Sequence, residues 1–184
     1  MLRIGLIGTG TVGGGVIQIL EQKIAEYKEK LGVELELACI CAKSEEEVAP
    51  YKAKGCKVST NADEMIAGDG IDVLVELAGG YNMPRKWILA ALNSGKHVVT
   101  ANKALLAKYG HEIFPLAAEK GLHVLFEAAV GGGIPIIRSL QEGLLGSTVE
   151  HLSCIINGTC NYILSRMADE GLDFDVVLKD AQKQ

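Results

Sequence analysis

Three glycines near the start of the chain have a spacing that suits close approach to the backbone. Gly8, Gly10 and Gly13 follow an apolar run and precede a long apolar helical pattern. In this G-x-G-x-x-G order the first glycine permits a tight turn, the second lets a pyrophosphate approach, and the third lets helix and strand pack closely. The N–H groups that begin the helix then favour the phosphate charge. The pattern predicts a dinucleotide-binding loop, and a purely structural glycine turn is the alternative.

The residues after the second apolar run bear on which dinucleotide would bind. Lys43 and Ser44 stand where an acidic residue would favour the ribose 2′-hydroxyl of NAD and a basic one the 2′-phosphate of NADP. Lys43 therefore favours NADP(H), with NAD(H) as the second option. Three glutamates at 45–47 follow directly and reduce that electrostatic advantage, although they also suit the solvated start of a helix.

A second polar group, Thr100, Asn102 and Lys103, follows a short apolar run. Ligands of open α/β sheets lie outside the carboxyl ends of the strands, so this group is placed to meet one. Lys103 could hold a carboxylate or polarise a carbonyl, and it opposes the dipole of the helix that it begins. We interpret it as functional rather than as a solvated lysine. Glu76 ends another predicted strand, and the sequence assigns it no role.

The stretch FEAAVGGGIPII, residues 126–137, combines one carboxylate with a glycine turn. Glu127 and carbonyl groups freed by the turn are oxygen donors that suit a hard cation. A hinge between two domains is the alternative interpretation of the same residues.

The elements that must position these residues alternate along the chain. Apolar runs typical of buried strands lie at 2–8, 34–41, 71–78, 96–101 and 122–128, and helical patterns lie at 11–31, 61–68, 84–95 and 103–120. Strands that are apolar nearly throughout and alternate with helices indicate a parallel sheet covered on both faces. We predict a doubly wound α/β domain, Rossmann-like, over residues 1–132.

The hydrophobic pattern of the sequence changes after the glycine turn. Residues 134–145 have a helical pattern, 148–157 alternate as a half-solvated strand does, and 158–171 and 173–184 again have helical patterns. We predict that residues 133–184 begin a second, incomplete α+β domain for substrate binding and dimerisation.

Composition excludes several classes of protein. The chain has 184 residues, 48% hydrophobic content and a net charge of −5 without a basic block, so nucleic acid and anionic membranes are poor partners. Five cysteines without paired spacing suit neither a disulfide framework nor a zinc site, and the four histidines are scattered. No signal peptide is evident. We expect a reduced, cytoplasmic setting.

Four segments together resemble the homoserine dehydrogenase family. They are GLIGTGTVGGGV (5–16), VVTANKALLA (98–107), EAAVGGGIPII (127–137) and INGTCNYIL (156–164). The resemblance implies NAD(P)-dependent interconversion of L-homoserine and L-aspartate 4-semialdehyde, an oxidoreductase step in threonine, methionine and isoleucine biosynthesis. It also implies a homodimer or higher self-association.

The resemblance further implies roles for single residues. Gly10, Thr11 and Val12 would contact the cofactor, with Lys103 beside the nicotinamide and the substrate as the candidate catalytic residue. Thr159 would face the substrate. A monovalent, sodium-type ion would be held by Glu127 and by backbone carbonyls, those of Val130, Gly132 and Ile134.

The resemblance also implies an incomplete catalytic site. Family members continue past the position of Gln184, the last residue here, into a segment with a substrate-binding glutamate, an aspartate and the proton-donor lysine. We therefore expect a truncated chain that binds cofactor without turnover. The alternatives are another two-domain dehydrogenase, of the aspartate dehydrogenase or sugar oxidoreductase type, and a non-catalytic nucleotide-binding sensor.

Overall fold

The computed structural model of the protein describes residues 1–155 and 157–183. These residues divide into two compact units, Met1–Ala129 and the residues from Val130 onward. No helix in the described ranges combines the length and the apolar character that a membrane crossing requires.

The first unit is built on a six-stranded sheet in which every pairing is parallel. The strands are β1 (Leu2–Ile7), β2 (Leu35–Cys41), β3 (Val58–Ser59), β4 (Val73–Glu76), β5 (His97–Thr100) and β6 (Val124–Leu125). Their spatial order is β3-β2-β1-β4-β5-β6, so the order reverses between β1 and β4. A doubly wound sheet binds ligands at such a switch point, outside the carboxyl ends of its strands.

Helices cover both faces of this sheet. They are α1 (Thr11–Leu31), α2 (Glu45–Ala53), α3 (Ala62–Ala67), α4 (Asn82–Asn93) and α5 (Lys103–Glu119). Strand β4 shows the division, because Leu74 packs with α3, α4 and α5 in one buried cluster while Val73 and Val75 pack with α1 in the other. Successive side chains of a strand point to opposite faces, so each face carries its own core. The predicted doubly wound α/β fold is confirmed.

The first unit departs from the predicted elements most at three places. Helix α2 and strand β3 were not predicted, because α2 buries only Val48 and contains Pro50, and β3 is two residues long. Strand β6 is shorter than the predicted 122–128, because the chain turns into a 3₁₀ helix at Glu127–Ala129. Glu127 therefore follows the sheet rather than ending its last strand.

The second unit holds helices and turns in its described residues. These are α6 (Ile136–Arg138), a single π-helical turn (Ser139–Gly143), α7 (Gly158–Glu170) and α8 (Phe174–Ala181). The predicted helix at 134–145 is thus divided into two short turns. The predicted strand at 148–157 is wrong for residues 148–155 and for Asn157, and Ile156 lies outside the described residues. A strand needs a hydrogen-bonded neighbour, and the described residues of this unit supply none.

The last two predicted helices correspond to α7 and α8. Helix α7 ends at Glu170, with Gly171 in the left-handed conformation as its C-cap, so the predicted bounds 158–171 hold to within one residue. The predicted helix at 173–184 is too long, because α8 ends at Ala181 and a turn follows it. The final residue of that prediction, Gln184, lies outside the described residues.

Candidate functional site

A cavity of about 700 Å³ lies in the first unit at the carboxyl ends of β1, β2 and β4. Its wall comes from the turn after β1, the residues after β2, the loop after β4 and the start of α4. The lining residues are Ile7, Gly8, Thr9, Gly10, Cys41, Ala42, Lys43, Glu47, Thr60, Ala62, Leu77, Ala78, Gly79, Met83, Pro84 and Trp87. The cavity thus occupies the switch point where a doubly wound sheet binds its ligand.

The glycine turn after β1 has a geometry that side chains would prevent. Gly8 has φ +99°, and a Cβ atom there would lie 2.7 Å from the carbonyl carbon of Leu77. A Cβ atom on Gly13 would lie 1.8 Å from the carbonyl oxygen of Gly8. The first and third glycines are therefore required by the close contact of the turn with β4's loop and with α1.

Gly10 has the opposite surroundings, because a Cβ atom there would meet nothing within 4 Å. It is the N-cap of α1 and has no side chain to bond the free N–H groups of the first turn, which also contains no acidic residue. Thr11 and Val12 begin the helix and are exposed outside the cavity wall. The helix therefore presents uncapped N–H donors beside open space, which suits a phosphate group.

Lys43 lies on the β2 side of the cavity, and Glu47 lies there with it. The backbone N–H of Lys43 points to Oε2 of Glu47, 3.4 Å away. Ser44 is the N-cap of α2, and its hydrogen bond to Glu46 lowers the pKa of that carboxyl. The three glutamates at 45–47 thus form the first turn of α2, where carboxylates complement the helix dipole.

The cavity also has an apolar wall, which the sequence did not predict. Met83, Pro84 and Trp87 lie in the first two turns of α4, and Trp87 is half-buried. The pattern at 84–95 predicted the helix, yet nothing in one sequence shows which helix face lines a cavity.

Glu76, the last residue of β4, is completely buried beside this cavity's loop. Its Oε1 accepts the N–H of Ala78 at 2.9 Å, and its Oε2 accepts the hydroxyl of Thr100 at 2.8 Å. Thr100 ends β5 and in turn accepts the N–H of Asn102 at 3.0 Å. Burial is the largest influence on Glu76 and raises the pKa of its carboxyl, while these hydrogen bonds act in the opposite direction.

Asn102 closes a ring of contacts between the β4 loop and α5. It caps α5 through Oδ1, which accepts the N–H of Leu105 at 3.1 Å, and its Nδ2 donates to the carbonyl of Gly80 at 2.6 Å. Lys103 is the first residue of α5, with an exposed side chain. Neither Thr100, at the end of β5, nor Lys103, at the start of α5, belongs to the wall of the cavity.

The predicted cation and substrate residues remain predictions. Glu127 begins the 3₁₀ helix of the first unit, whereas the three carbonyl donors belong to the second, at Val130, Gly132 and Ile134. The Ile134 carbonyl already accepts the N–H of Ile136 at 2.8 Å, which leaves one lone pair. Thr159 is exposed in the first turn of α7.

Comparison with known proteins places the chain in a family. Residues 8–127 match a family model described as the NAD binding domain of homoserine dehydrogenase, and residues 135–184 match a second one described as homoserine dehydrogenase. A homoserine dehydrogenase of Neisseria gonorrhoeae is 46% identical over 98% of this chain and 41% of the relative. One of Pseudomonas aeruginosa is 45% identical over the same shares of the two chains.

Solved structures agree with the sequence matches. A homoserine dehydrogenase from Thiobacillus denitrificans superposes with a TM-score of 0.86 at 46% identity, over 99% of this chain and 42% of that one. A hyperthermophilic archaeal homoserine dehydrogenase in complex with NADPH has a TM-score of 0.78 at 26% identity, over 99% and 60%. The chain spans about two fifths of the length of the curated relatives that it matches. It belongs to the homoserine dehydrogenase family.

Proposed function

We propose that the first unit binds a nicotinamide dinucleotide, and that the chain forms part of an oxidoreductase that interconverts L-homoserine and L-aspartate 4-semialdehyde. The observation that carries the cofactor proposal is the contrast within the glycine turn. Gly8 and Gly13 are closed in by backbone, whereas Gly10 faces open space beside uncapped N–H donors. Gly10 also lines the cavity, whereas Gly15, which has equally open surroundings, does not.

In this proposal, residues of the cavity and residues outside its wall have separate functions. Gly10 and the first turn of α1 hold the pyrophosphate, and Lys43 lies where the adenosine ribose meets the end of β2. Thr100 and Lys103 lie toward the nicotinamide half, at the end of β5. When bound, the dinucleotide supplies or accepts the hydride. The side chain of Lys103 orients the substrate and stabilises negative charge on its oxygen.

The test of cofactor binding is Gly10→Ala, with Gly15→Ala as its matched control. A Cβ atom at either position meets nothing within 4 Å, so both variants should fold. Because Gly10 lines the cavity and Gly15 does not, we expect calorimetric titration to show NADP affinity lowered about 100-fold in Gly10→Ala and unchanged in Gly15→Ala. Equal affinity in the two variants would refute the proposal.

We also propose a preference for NADP(H), with NAD(H) as the weaker ligand. Lys43 lines the cavity as the cation nearest the end of β2 in sequence, although Glu47 lines it too. We expect Lys43→Ala to weaken NADP binding about tenfold and NAD binding little, because only NADP carries the 2′-phosphate. Lys52→Ala, on α2 but outside the cavity wall, is the control. An unchanged ratio of the two dissociation constants would contradict the assignment.

The remaining parts of the proposal concern the longer protein. We propose that Thr159 faces the substrate, and that Glu127 and the carbonyls of Val130, Gly132 and Ile134 hold a sodium-type ion. We also propose self-association through the domain that begins near residue 133.

We propose that the proton donor of the reaction lies beyond Gln184. Homoserine oxidation by the 184 residues alone, compared with that by the full-length protein, tests this placement. We expect the shorter chain to bind cofactor without measurable turnover. Turnover by the shorter chain would mean that the donor lies within it, with Lys103 as the first candidate.

A further inference from the structure

Glu76 is a costly residue for this fold. Among the described residues of the chain only three polar or charged side chains are buried, Glu76, Lys96 and Thr100, and Glu76 is 0% exposed. Moving a carboxylate out of water is unfavourable unless other groups compensate for the lost hydration. A β-branched apolar residue would suit the end of a buried parallel strand better. The carboxylate therefore needs an explanation beyond packing.

The hydrogen bonds around Glu76 match an ionised carboxylate. Ala78 contributes a backbone N–H, which can only donate. The oxygen of Thr100 accepts the N–H of Asn102, so its own proton is directed to Glu76. Two donors facing the two oxygens of one side chain are best matched by a group that accepts at both, which an ionised carboxylate does and an amide cannot.

The bonds made by Glu76 join two parts of the site that are distant in sequence. One is the loop Leu77–Gly80, of which Leu77, Ala78 and Gly79 line the cavity. Gly79 and Gly80 both have positive φ angles, +73° and +71°, so this loop has an uncommon backbone path. The other part is the start of α5, where Asn102 holds the carbonyl of Gly80 and Lys103 follows. Glu76 bonds the loop directly through Ala78, and through the hydroxyl of Thr100 it is linked to Asn102 at the start of α5.

We propose that Glu76 is a positioning residue for the cofactor site, and that its negative charge makes the site favour the oxidised over the reduced dinucleotide. The inference rests on the proposed cofactor binding. With the pyrophosphate at Gly10 and the adenosine toward β2, the nicotinamide half extends over the ends of β4 and β5, where Glu76 and Thr100 lie. The oxidised ring carries one more positive charge than the reduced ring. A desolvated carboxylate nearby acts on that difference with little screening.

The experiment measures the dissociation constants of NADP⁺ and NADPH by titration calorimetry for the chain and three variants. Glu76→Gln removes the charge with almost no change of shape. Glu76→Asp keeps the negative charge on a shorter side chain. Glu26→Gln removes a charge from an exposed pair with Lys30 on α1 and is the control. Melting curves establish which variants are folded.

We expect Glu76→Gln to raise the ratio of the NADP⁺ to the NADPH dissociation constant about fivefold. Glu76→Asp should weaken both ligands and keep the wild-type ratio, and Glu26→Gln should change neither. If Glu76→Gln does not fold, the double variant Glu76→Leu/Thr100→Val removes the charge together with its hydroxyl donor, and the same shift in the ratio is expected.

Two other results would overturn the inference. Equal changes in both dissociation constants for the neutral variants would reduce Glu76 to a structural residue, with the cofactor proposal intact. If the unmodified chain bound neither NADP⁺ nor NADPH, the proposal of cofactor binding would be rejected, and this inference with it. The two failures are therefore distinguishable from the wild-type titration alone.

Discussion

Met1–Ala129 and the residues from Val130 onward differ in how they bury apolar side chains, although both carry apolar patterns. In the first unit, both faces of the sheet are covered, and Leu6, Ile40 and Leu74 are completely buried. In the second, Ile163 and Val177 are buried, whereas Leu145 is 82% exposed. An apolar pattern therefore specifies an element only where a sheet or a helix offers a face to cover it.

The second unit compensates partly through polar contacts. Arg166 on α7 bonds Glu170 at 2.7 Å, Tyr162 at 3.0 Å and Asp180 on α8 at 3.1 Å. The contacts with Glu170 and Tyr162 lie within α7, and the contact with Asp180 joins α7 to α8. Partly exposed ion pairs contribute little each, so this unit has the weaker basis for a stable structure.

The largest expected difference comes from truncating one leucine in each unit. Leu74→Ala should destabilise the protein by about 3 kcal/mol, because it leaves a cavity between β4 and the helices on that face. Leu164→Ala should cost less than about 0.5 kcal/mol, since that side chain is 63% exposed. Urea unfolding measures both, and similar losses would show that residue 164 is covered in solution.

The two asparagine caps offer a smaller and more specific comparison. Asn157 caps α7 by accepting the N–H of Cys160, and Asn157→Ala should cost about 1 kcal/mol. Asn102 makes the same cap on α5 and also donates to Gly80, so Asn102→Ala should cost about 2 kcal/mol. Asn102→Ala should also weaken cofactor binding, which Asn157→Ala should leave unchanged. Equal effects on stability and binding would remove the distinction between the caps.

The smallest expected effect is a pH dependence in the first unit. Arg3 holds the pKa of Asp72 at about 2, below its ordinary 3.8, mainly through its side-chain hydrogen bond. The folded state therefore binds fewer protons, so this contribution is complete above the unfolded pKa and is lost as pH falls toward 2. Wild type should exceed Asp72→Asn in stability at about pH 6, with the gap closing below about pH 4. A gap that stayed constant with pH would contradict this.

Glu76 should behave in the opposite sense. Its pKa is raised by burial, so the folded state holds its proton longer than the unfolded state does. Its contribution to stability therefore declines as pH rises above about 4.5, the ordinary value. We expect Glu76→Gln to gain stability relative to wild type between acid and neutral pH in thermal melts. If Glu76→Gln instead gained stability relative to wild type as the pH falls, the hydrogen bonds would outweigh burial in their effect on the pKa of Glu76.

Most of the first unit could be predicted from the sequence because its signals are local. Helix α1 begins at Thr11 and ends at Leu31 as predicted, with Gly32 at φ +65° beyond it. The glycine spacing likewise indicated the turn. Strand β3 and helix α2 were not predicted, because β3 is too short and α2 too polar to show an apolar periodicity.

The hydrogen bonds around Glu76 could not be predicted from the sequence, for a different reason. Glu76 and Thr100 lie 24 residues apart and meet only because β4 and β5 pair in register. An acidic residue at the end of an apolar run is compatible with a buried or a surface carboxylate, and it does not indicate the partners. Over its described residues, the predicted strand at 148–157 failed for a related reason, since alternation describes a face and not the neighbour that must pair with it.

Trp87 gives the cavity an optical probe of its own. It is the chain's only tryptophan and half-buried in the cavity wall, so its emission reports on one place in the molecule. A dihydronicotinamide ring absorbs where indole emits, and an oxidised ring does not. Energy transfer from Trp87 would therefore distinguish reduced from oxidised cofactor without any label, and a Trp87→Phe variant would supply the dark background.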